Sequence, residues 1–369
     1  MSEPDTSVLS RATLETGTLT RGDIIRILSF SERDARETLF PAADAVRRVA
    51  VGDEIFLRGI IEFSNICAQE CLYCGLRRSN TRLDRYRMTD EEILTAARRI
   101  REEGIGTVVL QSGEDGFYTP ERICFLVEKI KTETGLAITL SIGERSREEY
   151  QAFREAGAER YLLKFETTAQ DLYTSLRPGR RLADRLRALT DLAELGYQVG
   201  TGNMIGIPGQ NPEILADDLL LMKTLDTDML GIGPFLPHPL TPLAASLPGG
   251  LFMTLKVLSV ARLLTKTTNI PATPALAVLD AHGRLRALEG GSNVVMPDFT
   301  PPAYRRNYEI YPGREKTMDL SAFLRQLYID IEKVGRKIGK GSGGRQKIKI
   351  GHRISLTSVP ISTMYPMII

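Results

Sequence analysis

The 369-residue chain reads as an α/β protein, a (β/α)8 barrel of the TIM type with helices before it and a cap segment after it. Two observations predict this. Short apolar runs alternate eight times with stretches of helical periodicity, the pattern of repeated parallel β/α units. Several helical stretches also end in a glycine followed directly by the next apolar run, at Gly104, Gly135, Gly157 and Gly196, each fitting the left-handed stop after a helix. Eight units over about 240 residues suit a barrel, although periodicity does not distinguish closure from an open doubly wound sheet. The resulting division is a helical extension at 1–52, the barrel at 53–300, a cap at 301–345 and an irregular tail at 346–369.

Taken in order, Ile24, Ile25, Ile27 and Leu28 mark one short helix, and Ala45, Val46, Val49 and Ala50 close a second. The eight candidate strands are then 56–63, 107–111, 136–142, 161–165, 199–207, 229–232, 270–274 and 293–296. Between them the helices are amphipathic: 91–103 place Ile93, Leu94, Ala97 and Ile100 on one face, and 182–195 do the same with Leu186, Leu189, Leu192 and Ala193. Beyond the barrel, 335–353 are basic and glycine-rich and the remaining residues apolar without a period, which predicts a poorly ordered or loosely docked end.

Composition narrows the function classes. With 42% hydrophobic and 25% charged residues the chain can bury a large core. A net charge of +2 without a basic block leaves nucleic-acid binding no electrostatic footprint. The polar start MSEPDTSVLS lacks a signal core, and no apolar run reaches the ~18 residues a membrane span needs. A cytoplasmic protein with reduced thiols is expected, with neither nucleic acid nor membrane as partner.

Three of the four cysteines fall in Cys67-Ala68-Gln69-Glu70-Cys71-Leu72-Tyr73-Cys74. Three thiolates on one tight loop can hold three irons of a 4Fe-4S cluster and leave the fourth open for chemistry. Zinc also accepts thiolates, but a structural zinc site takes four protein ligands, and Cys124, His238, His282 and His352 all lie far along the chain. Loops at the carboxyl ends of barrel strands carry the chemistry, so the cysteine loop after the first strand sits with Gly113 and Glu114 after the second, Glu166 after the fourth and the 206–209 turn after the fifth. Singly, these are ordinary turns.

The CxxxCxxC motif with Tyr73 before the third cysteine, together with the Ser112-Gly113-Glu114 turn, resembles the radical S-adenosylmethionine (SAM) superfamily. That resemblance implies that Cys67, Cys71 and Cys74 ligate one 4Fe-4S cluster, that SAM chelates its open iron, and that one electron then cleaves SAM to methionine and a 5′-deoxyadenosyl radical. Longer strings, among them IIEFSNICAQECLYCGLRR, RYLLKFET, DMLGIGPFLPHPLTPLA and NVVMPDFTPPAYRRNYEIYPG, are similar in order and spacing to the FeFe-hydrogenase maturase of this superfamily, from about residue 52 to 345. The implied role is assembly of the hydrogenase active-site cluster from a small organometallic iron precursor. An electron donor such as a ferredoxin or flavodoxin and other hydrogenase maturases are the implied partners.

The same likeness makes Glu166 and Arg185 contacts to SAM and gives Tyr308 and Tyr311 binding roles near SAM and the substrate cavity. Without it, Arg185 reads as a solvated helix residue, and Tyr304, Tyr308 and Tyr311 as one packed helix face. Arg58, Gln111, Thr139, Met229 and Thr273 are lumen candidates, being on or beside otherwise apolar strands. A buried arginine needs an anion or carboxylate, so Arg58 is expected to hold an anion at the cavity floor and is counted with the catalytic residues. His238 is expected in a loop beside the mouth, and Cys124 as a buried helix thiol. No cysteine follows Cys124, so a second cluster is not expected; biotin synthase-like sulfur donation is disfavoured because strands two to five carry none. A mutase of the methylornithine synthase type is the closer alternative.

Overall fold

A computed structural model describes Leu9 and residues 18–313 and 319–345; the 346–369 tail lies outside the described residues. The chain opens with α1 (Arg21–Leu28), started by a capping box in which Thr20 and Asp23 satisfy each other's backbone N–H. After a helical turn at Glu32–Asp34, residues Ala35–Leu39 form a π-helical turn that runs into α2 (Phe40–Val51). Pro41 has no N–H to bond one turn back, and the ladder widens there, with Phe40 N–H reaching Ala35 O.

The barrel follows. Its strands are β1 (Glu54–Leu57), β2 (Gly59–Ser64), β3 (Thr107–Ser112), β4 (Ala137–Ser141), β5 (Arg160–Leu162), β6 (Gln198–Thr201), β7 (Met204–Ile205), β8 (Met229–Leu230), β9 (Gly233–Pro234) and β10 (Val294–Val295). All pairings among them are parallel, β2, β3, β4, β5, β6 and β8 forming one sheet in that order. Backbone bonds carry the circuit on from β8 through Asn269 and Ile270 to β10, and Ile60 N–H to Pro297 O (2.9 Å) with Phe299 N–H to Ile60 O (2.8 Å) joins its two ends. All eight expected strands are present, and the sheet is a barrel rather than an open one. The seventh is reduced to bridges, because Pro271 cannot donate to a ladder and Pro274 already starts α10 (Pro274–Leu279). The fifth is split into β6 and β7 at Gly202 (φ +154°), where an added Cβ would lie 2.2 Å from Gly231 O.

Around the barrel lie α3 (Asp90–Glu102), α4 (Pro120–Thr134), α5 (Arg147–Glu155), α6 (Gln170–Leu176), α7 (Leu182–Glu194), α8 (Pro212–Thr224), α9 (Leu251–Thr265) and, after α10, α11 (Gly283–Glu289). They cover the outer face, which is why strands such as β2 are buried along their whole length and read as continuous apolar runs. The four glycine stops all have positive φ. Arg21 of α1 pairs with Asp217 of α8 at 2.7 Å, fixing the N-terminal helices to the barrel wall. No helix among the described residues is long and apolar enough to cross a membrane.

The segment expected as a cap does two things. Its first part, with the short α12 (Pro302–Arg305), brings Tyr308 and Tyr311 to the cavity at the carboxyl ends of the strands, and α13 (Leu320–Lys333) brings Phe323 there. Its last part crosses to the opposite end, where β11 (Lys337–Ile338) pairs parallel with β1 and residues 341–345 stop the barrel from below. Ser342 O accepts from Thr107 Oγ1 (2.9 Å) and Arg160 Nη2 (3.0 Å), and Gly343 O accepts from Asn269 Nδ2 (3.1 Å). The described part of the glycine-rich stretch is therefore firmly docked, and Arg345 also bonds Thr267 Oγ1 and the carbonyls of Asp226 and Thr227; the loosely docked end expected from the sequence lies outside the described residues.

Candidate active site

One cavity of about 560 Å³ opens among the loops after the strands, lined by Cys67, Cys71 and Cys74 at one end and by Gln111, Thr273, Met296, Tyr308 and Tyr311 deeper in. The cysteine loop is held from below. Arg85 donates to four carbonyls, those of Asn65, Leu76, Arg77 and Asn80, at 2.6–3.0 Å. Ser64 Oγ donates to Asp115 (2.7 Å), which also pairs with Arg87; burial works against this carboxylate, and those two partners hold it below its usual range. Gly75 admits the close approach of His238 and Glu309 O, an added Cβ standing 2.0 Å from that carbonyl. His238 is a buried loop residue packed against Gly75 of the cysteine loop, with Nδ1 accepting from Leu240 N–H and Nε2 3.5 Å from Glu309.

The three thiols fit a cluster. Burial pushes all of them up, and Cys67 and Cys71 raise Cys74 further, so three thiolates here need a cationic group among them. Cys67 Sγ already accepts from the N–H groups of Gln69 and Glu114, both at 3.4 Å. Among the described residues no three His, Cys, Asp or Glu side chains converge on a single ion.

Gly113 and Glu114 stand against this loop. An added Cβ on Gly113 would meet Ile66 O at 2.3 Å and Cys67 Cβ at 2.7 Å, so the turn must be glycine for the two loops to touch. Glu114 accepts from Gln69 Nε2 at 2.5 Å, and Gln69 Oε1 accepts from Arg180 Nε at 2.9 Å. Glu166 is in the left-handed region (φ +68°), a conformation uncommon for a residue with a side chain. Its carboxylate lies 3.5 Å from the Tyr73 hydroxyl and 3.0 Å from Lys164 Nζ. Beneath that turn, the buried Asp218 of α8 accepts from Thr168 N–H and Oγ1, both 2.7 Å, and from Asn203 Nδ2 at 2.8 Å, while Asn203 pairs with Glu166 as a parallel bridge.

Arg185 is buried, not the solvated helix residue its place in the sequence suggests. Its Nε is 2.5 Å from Glu144 Oε1, its Nη1 donates to Lys164 O, and its Nη2 lacks a protein partner. Arg177 lies beside it over Tyr173, with Glu114 3.8 Å away. Burial opposes the Arg177 charge, but Tyr73, Cys71 and Tyr173 outweigh it and hold the guanidinium protonated.

Of the lumen candidates, Gln111 and Thr273 line the cavity, whereas Arg58, Thr139 and Met229 lie outside its lining. Strand alternation makes them barrel-facing, but they belong to layers nearer the amino ends of the strands. Arg58 Nη1 is 2.8 Å from Met229 Sδ and Nη2 donates to Gly343 O at 3.2 Å; its Nε and the Thr139 hydroxyl have no partner. Burial, aided by repulsion from Arg160, pushes Arg58 down to about 9. The tyrosines do not share one helix face, since α12 ends at Arg305; Tyr304 stacks on Tyr86 and donates to Glu92, while Tyr308 and Tyr311 turn to the cavity. Cys124 is only partly buried on α4.

Sequence reasoning missed Gln69, Lys164, Arg177, Arg180, Glu144 and Asp218. Lys164 was within reach, because it precedes Glu166 by two and shares its side of the strand. The others meet only through the fold.

The radical SAM superfamily model matches residues 61–222. The FeFe-hydrogenase maturase subunit HydE of Thermotoga maritima is 47% identical over 336 residues, covering 91% of this chain and 96% of its own. The 3-methylornithine synthase of Methanosarcina barkeri is 32% identical, covering 84% and 89%. A crystal structure of methylornithine synthase superposes with a TM-score of 0.78 at 30% identity, over 90% of this chain and 97% of that one. A cluster-binding loop, a glycine-acid turn against it and full-length likeness to HydE agree: the chain belongs to the radical SAM superfamily and, within it, to the family of the FeFe-hydrogenase maturase HydE.

Proposed function

We propose that this protein acts in assembling the active-site cluster of FeFe-hydrogenase, using radical SAM chemistry on a small organometallic iron precursor. The observation that carries the reading is one cavity of about 560 Å³ lined by Cys67, Cys71 and Cys74, by Glu114, Glu166 and Arg185, and by Thr273, Tyr308 and Tyr311. When bound, a 4Fe-4S cluster supplies one electron to SAM, whose carbon-sulfur bond breaks to give methionine and a 5′-deoxyadenosyl radical.

The chain's own residues do the positioning. Cys67, Cys71 and Cys74 hold the cluster. Glu114, fixed by Gln69, offers its carboxylate and backbone to the amino group of SAM, and the unpartnered Nη2 of Arg185 is offered to its carboxylate. Glu166, set by its left-handed turn between Tyr73 and Lys164, orients the rest of SAM. Tyr308, buried at 2% exposure, helps close the lumen so that the radical meets substrate before water. An electron donor of the ferredoxin or flavodoxin kind and the other hydrogenase maturases complete the set of partners, in a cytoplasmic setting.

The second reading, a methylornithine synthase-type mutase, keeps one specific support: the cavity lining includes Glu62, Lys164, Arg284 and Asp298, charges that could pair a small amino acid. Co-expression of hydrogenase with the other maturases, with and without this protein, decides between them. Active hydrogenase is expected only in its presence; equal activity without it contradicts the maturase role.

A further inference from the structure

Five cationic side chains among the described residues line the cavity, and four of them have an acid. Lys164 stands 3.0 Å from Glu166, Arg177 3.8 Å from Glu114, Arg185 2.5 Å from Glu144 and Arg305 3.2 Å from Asp298. The fifth, Arg284 of α11, has none. No nitrogen of its guanidinium forms a hydrogen bond or ion pair, and its Nε is shut off from solvent. Burial works against its charge, and Asp330 and Tyr311 favour the charge without outweighing that cost. Asp330 acts only through space, its carboxylate accepting from Gln326 Nε2 at 2.8 Å.

The side chain is held all the same. Its guanidinium lies over the ring of Phe323, 5.0 Å from the centroid, and Phe323 lines the same cavity. Stacking occupies the face of the planar group and leaves its edge of donors free. Ala277 and Val278 of α10 line the wall with it, and Gly313 passes so close that an added Cβ would lie 2.6 Å from Val278 Cγ1. Those residues bring no counter-charge. A cation in a cavity wall is costly unless a ligand supplies the anion, and one guanidinium calls for one negative charge. Its planar fork fits two oxygens side by side, the shape of a carboxylate. A phosphate would add a third oxygen and further charge, for which this apolar wall has no donor. The carboxylate of SAM is assigned to Arg185, so the Arg284 fork is left for a second molecule.

We propose that Arg284, laid on Phe323, is the specificity-determining residue of the cavity and holds one carboxylate of the molecule that occupies it beside SAM. This rests on the radical SAM reading, which places SAM at Arg185, and adds a group that the substrate must carry and the residue that takes it. An amide of the same outline leaves the guanidinium without its counter-charge and is rejected.

The test uses the reconstituted holoprotein, with and without SAM, and butyrate and butyramide as probes of equal outline, their binding read by ligand-observed NMR. Wild type is expected to bind butyrate about tenfold or more tightly than butyramide, the scale of a hydrogen bond to a charged group. Arg284→Gln should lose that preference, while Arg284→Lys, which keeps the charge without the fork, should keep part of it. SAM affinity should stay that of wild type in both, which a general loosening of the cavity would not allow. Equal binding of the two probes by wild type overturns the proposal, as does a butyrate preference that survives Arg284→Gln, or inorganic phosphate bound more tightly than butyrate. In co-expression with hydrogenase and the other maturases, Arg284→Gln should lower hydrogenase activity about tenfold or more, and full activity with it overturns the proposal. Hydrogenase equally active without the protein fails the maturase reading, and a wild type that does not bind SAM fails the radical SAM reading; in either case the butyrate preference measured without SAM still decides Arg284. If Arg284→Gln does not take up iron, Arg284→Lys and the wild-type preference decide in its place.

Discussion

Asp218 underlies the turn that presents Glu166, and its environment sets a measurable stability slope. The carboxyl accepts three hydrogen bonds, yet burial pushes it from an ordinary 3.8 up to about 7. A carboxyl raised on folding keeps its proton longer in the folded state than in the unfolded one, so between the two values the folded state holds more protons and stability falls as pH rises. At ~1.36 kcal/mol per unit the full loss above pH 7 is about 4 kcal/mol, of which about 2 kcal/mol falls between pH 5.5 and 8. Asp218→Asn removes the ionisation and keeps the bonds: its oxygen still accepts from Thr168, and Asn203, whose Oδ1 has no partner, can turn its amide to accept from the new nitrogen. Denaturant unfolding of the reconstituted protein should therefore show the variant gaining about 2 kcal/mol on wild type as pH goes from 5.5 to 8. Asp218→Ala strands three donors instead and should cost about 1–3 kcal/mol at both pH values, with a raised KM for SAM as the Glu166 turn loosens. Wild type and Asp218→Asn running parallel across the range would refute the reasoning.

Other expectations are direct. Glu166→Gln removes the charge facing Lys164 and Tyr73 and should raise KM for SAM roughly 10–100-fold with a smaller effect on kcat, the scale of a hydrogen bond to a charged group; steady-state kinetics check it. Gly113→Ala drives a Cβ into Ile66 O and Cys67, costs about 1–3 kcal/mol as an overpacked contact, and should lower iron bound per chain after reconstitution. Arg85→Met strands the four carbonyls that it holds under the cluster loop and should lower iron content while leaving far-ultraviolet circular dichroism unchanged. Arg58→Met removes a buried cation that lacks a full set of partners and lies outside the cavity lining, and should be close to neutral for stability; a loss of about 3 kcal/mol or more in denaturant unfolding contradicts this.

Much of the barrel was legible because of a physical coincidence of signals. Strands buried on both faces, such as Gly59–Ser64, read as apolar runs, and helices such as Asp90–Glu102 show their stripe and end in a positive-φ glycine. The cysteine loop and Glu114 were legible because their spacing is local. What failed was depth and long-range return. Alternation told that Arg58, Thr139 and Met229 face inward, but not that the cavity stops above them and that residues 341–345 fill the space below. That plug has no period to read: Lys337–Ile338 is too short a strand, and the glycines after it matter through Gly106 and Phe56, far away in the chain. Arg177, Arg180 and Glu144 were not singled out, because nothing in a helix or turn pattern reports that loops after different strands converge.

The decisive measurement is SAM cleavage by the anaerobically reconstituted protein, carrying about four irons per chain, under dithionite. The expected result is 5′-deoxyadenosine and methionine in equal amounts from wild type and neither from Cys71→Ser. A fully loaded wild-type protein that forms no 5′-deoxyadenosine would contradict the assignment of Cys67, Cys71 and Cys74 to radical SAM chemistry.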